Sequence, residues 1–323
     1  MRADALGADA IEGVRFGPLE QVPCALCGGS DTRLVVAQAW FGEDFHVVRC
    51  VRCGLIYTNP RPTVEWKRRF YDPASNPYLE RDGRDFCYQP AHEQPVANPR
   101  LFRYLREQVT TGGRLLDGGC SSGRMVRAAR DHGFEATGFD INPGGLAVAR
   151  KRCGVEVLAS DVEHIAIADD TYDVVTLIQV FEHFKDPMRA LGELQRVLKP
   201  GGLLFIETVN YLKLYWLERY LAFLKPLYFK VRKRESAWWQ GRLPWVPFDH
   251  YYHWTPDSIL RALEAAGFEQ RENHYFPGYD PWAETEMRGS AAGRAYRSAI
   301  DLLFRVSGKK IAGVLVATGR KPH

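Results

Sequence analysis

The chain has 323 residues, 46% of them hydrophobic and 25% charged, with a net charge of +4. That is the balance of an ordinary globular protein, with room for one full domain and a small appendage, and it gives no electrostatic reason to expect nucleic acid as partner. The first twenty residues contain acids and no apolar run, and no stretch approaches the ~20 apolar residues of a membrane span. A cytoplasmic protein is therefore expected, whose seven cysteines bind metal or stay as free thiols.

Four of the cysteines come first. Cys24-Ala-Leu-Cys27-Gly28 and Cys50-Val-Arg-Cys53-Gly54 are matching knuckles separated by twenty-two residues. The glycine behind each pair lets the backbone turn tightly around the sulfurs. Four thiolates make a closed tetrahedral set with no position left for water, so a structural zinc site is expected over residues 20–62. Two disulfides are the alternative, which a reducing compartment disfavours, and iron would take the same ligands. Residues 63–98, rich in Pro, Arg and aromatic residues, show no clear period and read as a connector. Tyr71 and Tyr78 within it could form a lid over a substrate or be ordinary packing residues.

From residue 113 apolar strands alternate with helix-like segments. The strands expected are Arg114–Asp117, Glu135–Asp140, Val155–Ala159, Tyr172–Ile178 and Leu203–Glu207, then Glu269–Phe276 and Ile311–Thr318. Asp186 can cap a helix with Pro187 at its first position, stopped by Lys199-Pro200-Gly201. Thr255-Pro256 opens a second helix that ends at Gly267, and a third is expected near Ala283–Phe304. Alternation of this kind predicts an α/β, doubly wound parallel sheet over residues 99–323, with ligand at the carboxyl ends of the strands.

The segment Arg114-Leu-Leu-Asp117-Gly-Gly119-Cys120-Ser-Ser-Gly123 puts a glycine-rich turn between a strand and a helix. Dinucleotides use such turns by laying a pyrophosphate on the helix N-terminus. Asp117 would repel a pyrophosphate, but it suits the sulfonium and ammonium groups of S-adenosylmethionine. Asp140 ends the second strand, where a carboxylate can accept two ribose hydroxyls. Asp161 follows the third, where it can accept an adenine amino group. Gly119, Cys120, Gly123, Ile141, Val162 and Gln179 flank these acids and complete the candidate cofactor set.

Residues 112–208, from LLDGGCSSG through GFDIN, SDVEHI, YDVVTLIQVFEHFKDP and VLKPGGLLFIETVN, resemble the core of the class I S-adenosylmethionine-dependent methyltransferases. The resemblance implies a Rossmann-like, seven-stranded sheet with a reversed final strand. It carries ribose binding to Asp140 and adenine binding to Asp161. Ser121 departs from the usual D-x-G-x-G-x-G, where a glycine is common. The run Cys53-Gly-Leu-Ile-Tyr57-Thr-Asn-Pro60-Arg-Pro62 resembles the zinc-ribbon leader that precedes methyltransferase domains in bacterial natural-product and modified-sugar pathways.

Glu182-His183, just past the fourth strand, is the candidate acid–base pair, with Glu182 orienting the His183 imidazole. The resemblance leaves it open whether the pair is catalytic or belongs to the fold. Asn210, His250 and His253 are candidates for contact with the acceptor, as is Tyr78, and for the two histidines a buttressing role is the alternative. Residues 211–248 read as an insertion, nearly apolar around Tyr211–Leu224, then basic, then rich in tryptophan. Three roles are open to it: a cap that selects a partly apolar acceptor, a homodimer contact, or an anchor at a membrane surface.

The reading is a methyltransferase acting on oxygen or carbon of a small molecule of secondary or envelope metabolism. A sugar-nucleotide C-methyltransferase is the alternative within that class, and a zinc-ribbon docking protein on a methyltransferase scaffold the alternative outside it. Nucleic acid is not expected as partner, because the ribbon's basic residues (Arg33, Arg49, Arg52) are few and no Asn/Asp-Pro-Pro-Tyr/Phe motif follows the fourth strand.

Overall fold

A computed structural model of the chain describes residues 17–40, 43–70, 99–109, 112–154, 156–211, 250–274, 302, 306 and 314–323. The chain divides into two units, Met1–Asn76 with Tyr211–His253, and Pro77–Asn210 with Trp254–His323.

The first unit carries β1 (Leu19–Glu20), β2 (Thr32–Trp40), β3 (Glu43–Cys50), β4 (Ile56–Thr58), β5 (Arg61–Pro62) and α1 (Val64–Phe70). Strands β2, β3 and β4 form one antiparallel sheet, and β1 pairs with β5. The helix lies at the start of the segment read as a connector. Thr63 Oγ1 accepts from the Trp66 N–H at 3.1 Å, and Arg69 pairs with Glu65 one turn earlier. Seven residues with Trp66 buried edge-on to Phe45 at 6.0 Å are too short to show a period.

The second unit opens with α2 (Pro99–Gln108) and continues through β6 (Arg114–Gly118), α3 (Arg124–Asp131), β7 (Glu135–Asp140), α4 (Pro143–Val148) and β8 (Val157–Ala159). It goes on through β9 (Tyr172–Ile178), α5 (Pro187–Val197), β10 (Leu198–Val209), α6 (Pro256–Ala265), β11 (Glu269–His274) and β12 (Val314–Arg320). Its sheet runs in the order β8-β7-β6-β9-β10-β12-β11, and β12 lies antiparallel to both its neighbours. This is the seven-stranded Rossmann-like sheet with a reversed final strand. A core of Leu101, Phe102, Leu115, Val126, Val174 and Phe205 packs on one face.

Caps explain where the helices start. Asp186 accepts from the Arg189 N–H at 3.0 Å with Pro187 in the first turn, and Thr255 and Ser258 exchange hydrogen bonds in a capping box. Some boundaries move. Lys199-Pro200-Gly201 ends α5 at Val197 as a break in register, because pairing with β9 already begins at Leu198 and resumes at Leu203. Strand β12, described from Val314, runs to Arg320, beyond the Thr318 expected, because its pairing with β10 continues to Leu203. Strand β8 begins at Val157, and β11 is described as far as His274, with Tyr275 and Phe276 outside the described residues. Of the helix expected near 283–304, Leu302 is described and is helical, and most of the rest lies outside the described residues.

Candidate functional site

The chain winds outward from β6 through β7 and β8, then returns to β9 on the other side of β6. Loops at the carboxyl ends diverge at that reversal and leave a crevice. Asp117 and Thr176 sit side by side there, with the Thr176 hydroxyl donating to Asp117 Oδ1 at 2.8 Å. Burial pushes the Asp117 carboxyl up to about 7; the Thr176 bond opposes that rise, and nearby Asp140 adds to it. Gly119 has φ +70°, and a Cβ on it would lie 2.5 Å from Val180 Cγ2, so the glycine turn presses against the turn after β9. Gln179 in that turn is itself left-handed at φ 54°. Its N–H donates to the Glu207 carbonyl at 2.8 Å, and its side-chain amide to the Glu207 carboxylate at 3.3 Å.

Asp140 already holds the loops together. Its Oδ2 accepts from the Ser121 N–H and its Oδ1 from the Asn142 N–H, each at 2.8 Å. Each carboxylate oxygen keeps a further lone pair, the complement of a vicinal diol. Next to it Ile141 is 74% exposed, an apolar side chain open to a flat ring. Asp161, past the end of β8, accepts the Glu163 N–H at 3.0 Å and is exposed, while Val162 behind it is buried. Cys120 is buried within the loop, and burial pushes its thiol up. These donors and acceptors fit S-adenosylmethionine: an acid for its cations, a carboxylate for the diol, and an open apolar surface beside it.

Glu182 and His183 lie in a single 3-10 turn, Phe181–His183, after β9. Glu182 is buried and accepts from the Thr208 hydroxyl at 2.7 Å. A carboxylate oxygen of Glu182 and a ring nitrogen of His183 lie within 4.8 Å of each other. Asn210, one residue past β10, is buried. Thr176, Glu207 and Thr208 escaped the sequence reading. Their signal was a polar residue at the carboxyl end of an otherwise apolar strand.

In the first unit the sulfurs of Cys24, Cys27, Cys50 and Cys53 all lie within 4.8 Å of one another. Cys24 approaches Cys53 to 3.4 Å and Cys27 approaches Cys50 to 3.5 Å, and all four are free thiols rather than disulfides. A tetrahedral zinc with Zn–S bonds of about 2.3 Å needs sulfurs about 3.8 Å apart, so the set fits the ion. His253 is fully buried, and His250 nearly so with its Nδ1 hydrogen-bonded to the Tyr211 hydroxyl. Tyr71, Tyr78 and residues 212–248 of the insertion lie outside the described residues. Among the described residues no helix is long and apolar enough to cross a membrane.

Residues 91–273 match the model of a family described as "Methyltransferase domain". The chain belongs to that family, the class I S-adenosylmethionine-dependent methyltransferases. Among curated relatives, this methyltransferase is 30% identical over 121 residues to a ubiquinone biosynthesis O-methyltransferase of Coxiella burnetii, which covers 36% of the chain and 52% of the relative. The chain thus spans about half the length of the first relatives it matches. A protein of the same name from Aeromonas salmonicida is 31% identical over 201 residues, 59% of this chain and 78% of the relative. Among solved structures, a SAM-dependent methyltransferase from Archaeoglobus fulgidus aligns with a TM-score of 0.46 at 19% identity, over 69% of this chain and 91% of that one.

Proposed function

We propose that the protein methylates a hydroxyl group of a small, partly apolar molecule in the cytoplasm, with S-adenosylmethionine as donor. The observation that carries this reading is the succession of Asp117, Asp140 and Asp161 at the carboxyl ends of β6, β7 and β8. The choice of oxygen is supported by the O-methyltransferase relatives.

S-adenosylmethionine, when bound, supplies an electrophilic methyl group on a sulfonium sulfur. Asp117 takes its cationic end, Asp140 the ribose hydroxyls and Asp161 the adenine amino group. Gly119, Cys120, Gly123, Ile141, Val162 and Gln179 line the same cleft. Asn210, His250 and Tyr78 handle the acceptor. In the methyl transfer His183 would take the proton of the acceptor hydroxyl, steadied by Glu182 from its anchorage on Thr208. One zinc ion held by Cys24, Cys27, Cys50 and Cys53 is structural, since four thiolates leave no open position.

The test is mass spectrometry of a metabolite library incubated with the purified protein and methyl-labelled donor. The expected result is labelled methyl on the oxygen of one acceptor class. Label on carbon would overturn the choice of atom, and a protein that binds no donor would overturn the whole reading.

A further inference from the structure

Thr58, the last residue of β4, has one hydroxyl proton to give. Its Oγ1 donates to the His250 carbonyl at 2.9 Å and lies 3.1 Å from His253 Nε2. With the proton spent on the carbonyl, the oxygen meets Nε2 as an acceptor, so His253 carries its own proton on Nε2. Its Nδ1 is then a bare lone pair, buried and without a hydrogen-bond partner among the described residues. Burial pushes the imidazole pKa down to about 3 and keeps the ring neutral.

The backbone repeats this attachment. The Thr58 N–H donates to the Tyr251 carbonyl at 2.9 Å and the His253 N–H to the Ile56 carbonyl at 3.0 Å, while Tyr57 and Tyr252 form an antiparallel bridge. The Tyr251 hydroxyl donates to the Pro62 carbonyl at 2.8 Å, and the Lys67 ammonium sits 3.4 Å from the centre of its ring. Tyr211 closes the set, its ring edge-on to His253 at 4.4 Å and its hydroxyl on His250. Residues 250–253 therefore extend the sheet of the cysteine unit. In sequence they are 192 to 195 positions away from Thr58.

We propose that Thr58 is a positioning residue for the acceptor-handling histidines: it sets the tautomer of His253 and the backbone of His250, so that the cysteine unit holds the segment that bears them. The proposal rests on the reading of His250 as an acceptor-handling residue.

The test uses the zinc-loaded full chain labelled with 15N at histidine. In the native chain the His253 spectrum shows the proton on Nε2. Thr58→Val shifts the His250 and His253 signals and loses the single His253 tautomer, and Thr58→Ser, which keeps the hydroxyl, restores both. Affinity for S-adenosylhomocysteine, measured by calorimetry, stays within about twofold in all three chains. With the acceptor identified by the labelled-donor screen, Thr58→Val raises KM about tenfold and lowers kcat less, the pattern of lost positioning. A native His253 protonated on Nδ1, or histidine signals unmoved by Thr58→Val, overturns the proposal. If no chain binds S-adenosylhomocysteine, the methyltransferase reading fails instead, and the histidine spectra still decide the role of Thr58.

Discussion

The carboxyl edge of the seven-stranded sheet and the cysteine ribbon both gather groups that carry negative charge when ionised, but they hold them in place differently. Asp140 is fixed by two backbone N–H groups and Asp117 by the Thr176 hydroxyl, all of them mounted on strands over a broad apolar core. The four thiols meet one another, Cys24 with Cys53 and Cys27 with Cys50, and take backbone N–H groups of their own knuckle turns. Burial drives the Cys24 thiol up. At Cys50 burial acts the same way but is outweighed by the backbone N–H of Cys53, the Cys27 thiol and the backbone N–H of Arg52, and the thiol falls to about 7. One region anchors its acids on the strands that carry them, whereas the other gathers its thiols on two knuckle turns.

The largest effect should follow from breaking the weaker side of that contrast. Structural zinc contributes on the order of 10 kcal/mol or more to folding in small zinc modules. Chelation, or Cys50→Ser, should expose residues 20–62 to limited proteolysis while the sheet keeps its thermal transition. Metal analysis should find about one zinc per chain. A ribbon as resistant to protease without metal as with it would erase the difference between the regions.

At the sheet edge the effects should be confined to chemistry and binding. His183→Ala is expected to lower turnover by roughly 10² to 10⁴, the range for a lost general base, with donor affinity little changed. Normal turnover with the true acceptor would return His183 to the fold. Asp140→Ala should weaken donor binding at least about tenfold by calorimetry, because charge-assisted bonds worth ~1.5–3 kcal/mol each disappear. It also unties Ser121 from Asn142, so amide exchange in the glycine turn should quicken.

The smallest effect concerns pH. Asp117 is raised from 3.8 to about 7 in the folded chain, so without ligand its neutral form is favoured, and its contribution to stability is lost as pH rises from about 4 through 7. A cation bound beside it favours the carboxylate, which reverses the trend for binding. Donor affinity should therefore rise as pH approaches 7 and level off above it, with proton release on binding below that point. Asp117→Asn should flatten the profile, and an equally steep profile in that variant would assign the proton elsewhere.

Much of this was legible in the sequence, for identifiable reasons. A parallel strand buried on both faces is a run of apolar residues, so an acid at its end, such as Asp117 or Asp140, announces the edge of the sheet. Two C-x-x-C-G knuckles announce four converging sulfurs. What escaped depends on distance along the chain. No local pattern tells Thr58 that His253 will lie against it. Nor does one tell Glu182 that its partner hydroxyl is on Thr208. Helix α1 escaped because one buried tryptophan in seven residues makes no period, and the early start of β10 at Leu198 escaped because a strand can follow a helix without an intervening loop.

The outermost strands of the sheet, β8 and β11, have a consequence for how the molecule behaves in a crowded solution. Strand β8 is three residues long, and β11 reads Glu-Gln-Arg-Glu-Asn-His, polar at every position, with a break in register between Glu269 and Glu272 and Gln270 at φ 45°. A short edge and a bulged, charged edge are poor templates for the backbone of another chain. Growth of the sheet by an eighth strand, the first step of edge-to-edge aggregation, is thereby opposed by charge and by shape at both ends.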